Sequence, residues 1–245
     1  FGEGDAGSVK ITTTDLVKFN GESKNGFPSG ATSQVEINAV GKGGGVSIST
    51  GSLEVLNGAF LSANTFGKGD AGSVEITATG LVKFDGESKN ELPSGAASQV
   101  LGVADKAGGV SISSGSLEVL NGALLSASTF GKGDAGSVKI IANGLVKFDG
   151  ESKNGFPSAV TSQVEANALG EAGGISISTS SLEVFNGAQL SASTYGKSDA
   201  GKVEIFATDL IKFDGESRNG FRSGVSSQVQ PGAKGNAGGI SIVTG

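Results

Sequence analysis

The side chains of this chain that could perform acid–base chemistry are its carboxylates, because the sequence contains no His and no Cys. Hydrolysis of a glycosidic bond needs two carboxyl groups at a defined separation in a cleft. Here Asp and Glu recur instead at equivalent places along the chain, and no cluster breaks that pattern. We therefore expect a protein that is not an enzyme and that holds no cofactor.

Four turns of the form Gly-x-x-Asp-Ala-Gly place an acidic residue where a calcium ion could bind. Calcium-binding β-rolls carry such an Asp in every short repeat, whereas here one occurs only every 64 or 65 residues. We expect each Asp to accept hydrogen bonds from the backbone of its own turn and to bind no metal. The four residues are Asp5, Asp70, Asp134 and Asp199.

Short apolar strands that end in Asn-Gly or Asp-Gly are the elements that must position these groups. Seven of them follow one another at steps of 37, 28, 36, 28, 37 and 28 residues, so long and short units alternate. Asn, Asp and Gly tolerate the left-handed backbone of a sharp bend. Tandem units of this length predict a solenoid or a propeller.

The residue at the bend alternates too: long units carry Asp, or Asn in the first unit, and short units carry Asn. If the units stack as parallel strands about 4.8 Å apart, interleaved amides would separate the carboxylates and donate hydrogen bonds to them. Val would interrupt the Lys and Glu columns of the same strands, and Phe19 and Leu56 would begin one apolar column. The predicted bend ladder comprises Asn20, Asn57, Asp85, Asn121, Asp149, Asn186 and Asp214.

Each unit contains three candidate strands. The first reads Gly-x-Val-x-Ile, an alternation that is typical of a strand with one buried face. The second ends at the bend, and its buried residues would be Leu53 and Val55 in a short unit but Val17 and Phe19 in a long one. The third reads Leu-Ser-Ala-x-Thr in short units and Thr-Ser-Gln-Val, or a close variant, in long units.

These patterns predict an all-β fold: a right-handed parallel β-helix of about seven coils, with three strands per coil and alternating long and short coils. The right hand follows from the strong preference of parallel-strand crossovers. The repeats occupy 1–245 as one domain, in double-coil units of about 65 residues that start near 1, 66, 130 and 195. Since the chain starts and stops inside repeats, we expect more β-helix to cover both ends, from a longer chain or from end-to-end self-association.

An insertion precedes the third strand of every long unit, at 22–30, 87–95, 151–159 and 216–224. Insertions of one type stack on one face of a solenoid, often the binding face. We expect their basic side chains to face solvent and their apolar side chains to fold back against the coil; the alternative is a multivalent glycan-binding surface. The basic residues are Lys24, Lys89, Lys153 and Arg218, and the apolar ones are Phe27, Leu92, Phe156 and Phe221.

Charge and hydropathy restrict the partners. A net charge of −6 argues against nucleic acid, and no apolar run approaches the roughly 18 residues of a membrane span. The remaining candidate partners are further copies or repeats of the same kind and surface glycans.

The sequence Ala-Gly-Ser-Val-Lys-Ile at 6–11 and the segment from Leu182 to Thr194, Leu-Glu-Val-Phe-Asn-Gly-Ala-Gln-Leu-Ser-Ala-Ser-Thr, resemble the repeat regions of filamentous haemagglutinin-type proteins. These are large bacterial exoproteins, and the likeness is closest to their cyanobacterial branch. The resemblance extends over essentially the whole chain. It implies a right-handed parallel β-helix, two-partner secretion, a location at the cell surface or in the extracellular matrix, and a role in adhesion or surface filaments.

Overall fold

The computed structural model describes residues 2–245, so Phe1, at the start of the first predicted repeat, lies outside the described residues. Residues 2–245 form 22 strands and no helix. The strands are β1 (Val9–Thr12), β2 (Leu16–Asn20), β3 (Gly30–Thr32), β4 (Val46–Thr50), β5 (Ser52–Leu56), β6 (Phe60–Ser62), β7 (Val74–Ala78), β8 (Leu81–Asp85), β9 (Gly95–Ala97), β10 (Val103–Lys106), β11 (Val110–Ser114), β12 (Ser116–Leu120), β13 (Leu124–Ser126), β14 (Lys132–Asp134), β15 (Val138–Ala142), β16 (Leu145–Asp149), β17 (Ala159–Thr161), β18 (Ile175–Phe185), β19 (Gln189–Ser191), β20 (Val203–Asp214), β21 (Gly224–Ser226) and β22 (Ile240–Thr244).

Every pairing between these strands is parallel, and each strand pairs with its equivalent in the neighbouring unit. Val9 pairs with Val46, Val46 with Val74, and Val74 with Val110. The first and second strands of the units belong to a 13-stranded sheet, and the third strands form a 7-stranded sheet. The prediction of an all-β fold with parallel strands is confirmed, and the curled sheets are compatible with a β-helix.

The core lies between the sheets and consists of the inward positions of all three strands. In the second strands, Val17 pairs with Leu53 and Phe19 with Val55, as the alternation of buried residues predicts. The predicted apolar column that joins Phe19 to Leu56 is therefore wrong. Leu56 is partly exposed and faces outward, whereas its neighbour Val55 is fully buried.

Two local features differ from the prediction of three separate strands per unit. β18 and β20 each join a first and a second strand without a break. In the preceding unit Gly144 separates the two strands, and Gly weakens a strand. At this position β18 has Ser180 and β20 has Asp209. β10 and β14 form a further two-stranded sheet between the third strand and the next first strand.

Candidate functional site

Side-chain hydrogen bonds link the bends of neighbouring units. Nδ2 of Asn121 donates to Oδ1 of Asp85 at 2.8 Å, and Nδ2 of Asn186 donates to Oδ1 of Asp149 at 2.7 Å. The backbone N–H of Asn121 donates in the opposite direction, to the carbonyl of Asp149 at 2.9 Å. Each Asn thus holds the preceding unit with its side chain and the following unit with its backbone.

The register of this ladder differs from the predicted direct column. The strand partner of Asn20 is Leu56, which also pairs with Asp85. Asn57 lies one residue beyond Leu56, and its Nδ2 reaches Oδ1 of Asn20 at 2.8 Å. The buried alternation fixes the register of stacked strands, and a short unit holds one more residue before its bend than a long unit does.

The backbone supplies a second reason for Asn in the short units. Asn57, Asn121 and Asn186 have φ angles of 53°, 52° and 50°. In a long unit the positive φ falls on the following Gly, as at Gly86 with φ 74°. Because Asn is among the few residues with a side chain that enter this left-handed region readily, the short-unit bend favours Asn for its backbone as well as for its amide.

Lys and Glu of the second strands form one alternating column, so the predicted interruption of separate Lys and Glu columns by Val is wrong. Lys18 pairs with Glu54, Glu54 with Lys83, and Lys83 with Glu118. Nζ of Lys18 lies 2.7 Å from Oε2 of Glu54. A hydrogen bond from the ammonium group to Asp85 raises the pKa of Lys83. The complete column reads Lys18, Glu54, Lys83, Glu118, Lys147, Glu183 and Lys212.

The inserted loops contact one another across two strand spacings and form a ridge. The backbone N–H of Lys89 donates to Oε1 of Glu22 at 3.2 Å, and that of Lys153 donates to Oε1 of Glu87 at 3.0 Å. Arg218 repeats this bond to Glu151 and adds one from its guanidinium group, which lowers the pKa of the Glu151 carboxyl. The side chains of Lys24, Lys89, Lys153 and Arg218 face solvent.

The apolar side chains of the ridge also face solvent, so the expectation that they fold back against the coil is wrong. Phe27 is 71% exposed, Leu92 44%, Phe156 69% and Phe221 49%. The backbone of each loop bonds to a Glu side chain of the preceding loop, which leaves the apolar tips exposed and available for contacts with a partner.

Two of these tips border a groove of about 860 Å³ on the outer face of the 7-stranded sheet. Phe156 and Phe221 line one side, just before the third strands β17 and β21. Phe130 and Tyr195 line the other side, just after the third strands β13 and β19. The groove therefore crosses the strands and runs along the stack of units between two aromatic walls.

Hydroxyl and amide side chains form the floor of this groove. Nε2 of Gln163 donates to Oγ of Ser191 at 2.7 Å, and Nε2 of Gln99 donates to Oγ of Ser126 at 2.7 Å. Ser126 and Ser191 are strand neighbours of Thr161. These bonds between units hold a row of polar groups in fixed positions under the walls.

One carboxyl group, Glu165, enters the groove beside Tyr195. Burial raises the pKa of Glu165. Burial also raises the pKa of the Tyr195 phenol, and the nearby Glu165 carboxylate adds to that effect. Glu165 is the one charged residue among the described residues that line the groove, so this surface presents uncharged hydrogen-bonding groups for most of its length.

The four turn aspartates bond the neighbouring unit rather than their own turn. Oδ1 of Asp5 accepts from the N–H of Lys42 at 2.7 Å, and Oδ1 of Asp134 accepts from that of Glu171 at 2.8 Å. The expectation of a bond to the same turn is wrong, because the backbone of the next unit lies within reach of the carboxylate. Over residues 2–245, no group of three or more His, Cys, Asp or Glu side chains is arranged to hold a metal ion.

No family model, curated protein or solved structure matches this chain. Residues 2–245 also include no helix that is long and apolar enough to cross a membrane. The site must therefore be interpreted from its own geometry.

Sequence reasoning named Phe156 and Phe221 as contact residues but missed the rest of the groove. Two repeated signals point to it. A Gln stands two residues after the third strand in every long unit, as at Gln163, and an aromatic residue follows the third strand in the short units, as at Tyr195. Amides and aromatic rings that recur on one outer face indicate a contact surface rather than a core.

Proposed function

We propose that this chain is a structural and adhesive shaft without enzymatic activity: a right-handed parallel β-helix of about seven coils, with three main strands in each. The observation that carries the proposal is the continuity of the Lys–Glu column from Lys18 to Lys212, since every unit contributes one member to it. In such a one-dimensional stack each unit contacts mainly its neighbours, and the loops add contacts between units that lie two apart, which suits a rigid spacer.

The proposed location is the bacterial cell surface or the extracellular matrix after secretion. The resemblance of the repeats to filamentous haemagglutinin-type proteins favours this location. The absence of Cys also suits a chain that is exported unfolded.

The proposed partner at each end is further β-helix, from another copy or from flanking repeats. β22 pairs with β20 alone, and Ile240 and Ile242 are about half exposed on it. Strand edges with unpaired backbone groups are templates for pairing with another strand.

Negative-stain electron microscopy and analytical ultracentrifugation of the purified chain test this proposal together. We expect thin rods that lengthen, and sedimentation that quickens, as the protein concentration rises. Compact particles that remain monomeric at every concentration would contradict the shaft and its end-to-end association.

A further inference from the structure

The two aromatic walls of the groove have a regular spacing. Phe130 and Tyr195 stand two units apart, and so do Phe156 and Phe221. Two strand spacings correspond to about 9.6 Å, which is on the scale of a disaccharide. The two pairs are staggered by one unit, so a ligand along the groove meets a ring alternately on its left and right.

The floor provides what a sugar needs between such rings. Ser126 and Ser191 are buried and accept hydrogen bonds from the amides of Gln99 and Gln163, so they fix the floor in place. The polar groups that the groove presents are those two amides and the half-buried Thr161 hydroxyl. Hydroxyls and amides offer both donors and acceptors, as sugar hydroxyls do. Aromatic faces meanwhile cover the apolar C–H faces of a pyranose ring.

The charge of the groove selects the class of glycan. Its lining contains Glu165 and no Lys or Arg among the described residues, and the chain as a whole carries a net charge of −6. An anionic polysaccharide would meet repulsion without a compensating cation. A cationic ligand would find one carboxyl group along four strand spacings, about 19 Å. An uncharged chain fits best.

The groove ends where a side chain fills it. At the position of Leu124 and Gln189, the earlier short unit carries Phe60. The Phe60 ring lies over Gly95 so closely that a Cβ on Gly95 would approach its Cε2 atom at 2.9 Å. The open length therefore begins after Phe60 and extends towards β21.

We propose that this groove binds a linear, uncharged glycan, which lies along the stack of units with its sugar faces against Tyr195, Phe130, Phe156 and Phe221. This binding activity is additional to the shaft function. It places the ligand on the sheet face, with the loop ridge as one wall, rather than on the ridge alone. Because the lining holds one carboxyl group where hydrolysis needs two, the groove binds the glycan without cleaving it.

Tyr195 provides a direct probe of binding, because it is the only Tyr and the chain has no Trp. Cellohexaose and mannohexaose, two linear uncharged probes, are titrated into the whole chain while tyrosine fluorescence and binding heat are recorded. We expect saturable binding of at least one of them with a change in fluorescence. Hexagalacturonate, an anionic probe of equal length, should bind at least tenfold more weakly.

Two pairs of variants locate the site by calorimetry. Tyr195→Ala and Phe156→Ala each remove a ring from a wall and should weaken binding by about tenfold. Phe66→Ala is the control for Tyr195→Ala, and Phe27→Ala is the control for Phe156→Ala, because each lies at the equivalent position of an earlier repeat, outside the groove. Both controls should leave the affinity within twofold of that of the parent chain. All four substitutions remove partly or largely exposed side chains, and thermal melting of each variant verifies that it is folded.

Three outcomes would overturn the proposal. The first is the absence of binding by both uncharged hexasaccharides, and the second is equal or tighter binding of hexagalacturonate. The third is displacement of a bound sugar by an unstructured Gly/Ser-rich peptide, which would make the groove a protein-docking surface. None of these outcomes bears on the shaft function, which is tested by the rods and their association.

Discussion

The amide of Asn121 reaches the carboxylate of Asp85 across one strand spacing, with 2.8 Å between Nδ2 and Oδ1, although the strand partner of Asp85 is Leu120. Asn121 also has a left-handed backbone with φ 52°. These two roles can be separated, because Gly accepts this φ without an amide whereas Ala has neither property.

The first prediction concerns these two roles. We expect Asn121→Gly to lower the free energy of unfolding by about 1–2 kcal/mol through the lost charge-assisted hydrogen bond. Asn121→Ala should lower it by about 1 kcal/mol more because of the strained φ. Chemical denaturation followed by circular dichroism measures both, with Lys89→Ala as an exposed control. Equal stability of all three variants and the parent chain would refute the bend ladder.

This ladder shows how far the sequence could predict the structure. Stacking, the parallel strands and the amide–carboxylate contacts follow from the repeated Asn and Asp. The register did not follow, because aligning units on Asn-Gly shifts them by one residue. The buried alternation of Val17 and Phe19 over Leu53 and Val55 contained the correct register, since burial determines which way a strand faces.

The second prediction concerns the charged column. Glu118 pairs with Lys83 on one side and Lys147 on the other, so Glu118→Lys places three ammonium groups in a row. We expect a loss of about 1–2 kcal/mol, since each exposed ion pair is worth up to ~1 kcal/mol and like charges directly opposite repel.

Salt distinguishes this electrostatic effect from a packing defect. The loss in Glu118→Lys should shrink in 1 M NaCl, where the screening length falls to about 3 Å, and Glu118→Gln should show a smaller loss at low salt. Melting midpoints at low and high salt provide the comparison. A deficit that does not respond to salt would point to packing instead.

The third prediction is a stabilising substitution. Thr129 is fully buried in a column whose neighbours on both sides are Val100 and Val164, and its Oγ1 has no hydrogen-bond partner in the described part of the chain. A buried hydroxyl without a partner costs about 1–3 kcal/mol. We expect Thr129→Val to raise the unfolding free energy by about 1 kcal/mol, as measured by denaturant titration.

The matched control for this substitution is Thr194→Val. Thr194 occupies the equivalent position in the next short unit, but its Oγ1 accepts a hydrogen bond from the N–H of Gly196 at 3.2 Å. It should therefore gain nothing or lose stability. If both substitutions have the same effect, the missing partner is not the cause.

The fourth prediction is a pH dependence. Burial raises the pKa of Glu165 above its ordinary value of 4.5, so the folded chain binds a proton at this carboxyl group more tightly than the unfolded chain does. The contribution of this bound proton to the free energy of unfolding is complete below pH 4.5 and is lost as the pH rises through the raised pKa. Glu165→Gln should accordingly stabilise the fold at pH 7 but not at pH 4.

The control for this effect is Glu36→Gln, at the equivalent position of the first long unit, where the side chain is exposed. It should change the melting midpoint little at either pH. A stabilisation by Glu165→Gln that is the same at pH 4 and pH 7 would show that ionisation of Glu165 is not responsible.

The fifth prediction concerns metal. Oδ1 of Asp134 already accepts the N–H of Glu171 at 2.8 Å, so we expect EDTA and added Ca²⁺ to leave the melting midpoint unchanged. Asp134→Asn, which keeps an acceptor oxygen, should be more stable than Asp134→Ala. A rise in melting temperature with Ca²⁺ that disappears in Asp134→Ala would instead establish a calcium site.

The groove was less predictable than the fold. Its walls come from residues that follow or precede a strand, and whether Phe156 folds inward or outward depends on loop bonds that local pattern does not specify. Glu87 and Glu151 hold the ridge through backbone N–H groups, and a sequence does not reveal which N–H a carboxylate will reach in another unit.

The alternating column from Lys18 to Lys212 restricts how an array of this kind can change in length. Removing the one unit that contains Glu118 would bring Lys83 onto Lys147 and Asp85 onto Asp149. Removing two adjacent units restores opposite charges and returns an amide to each carboxylate. Gains and losses of units should therefore occur in pairs, in steps of about 65 residues, and a single-unit change should require compensating substitutions where the like charges meet.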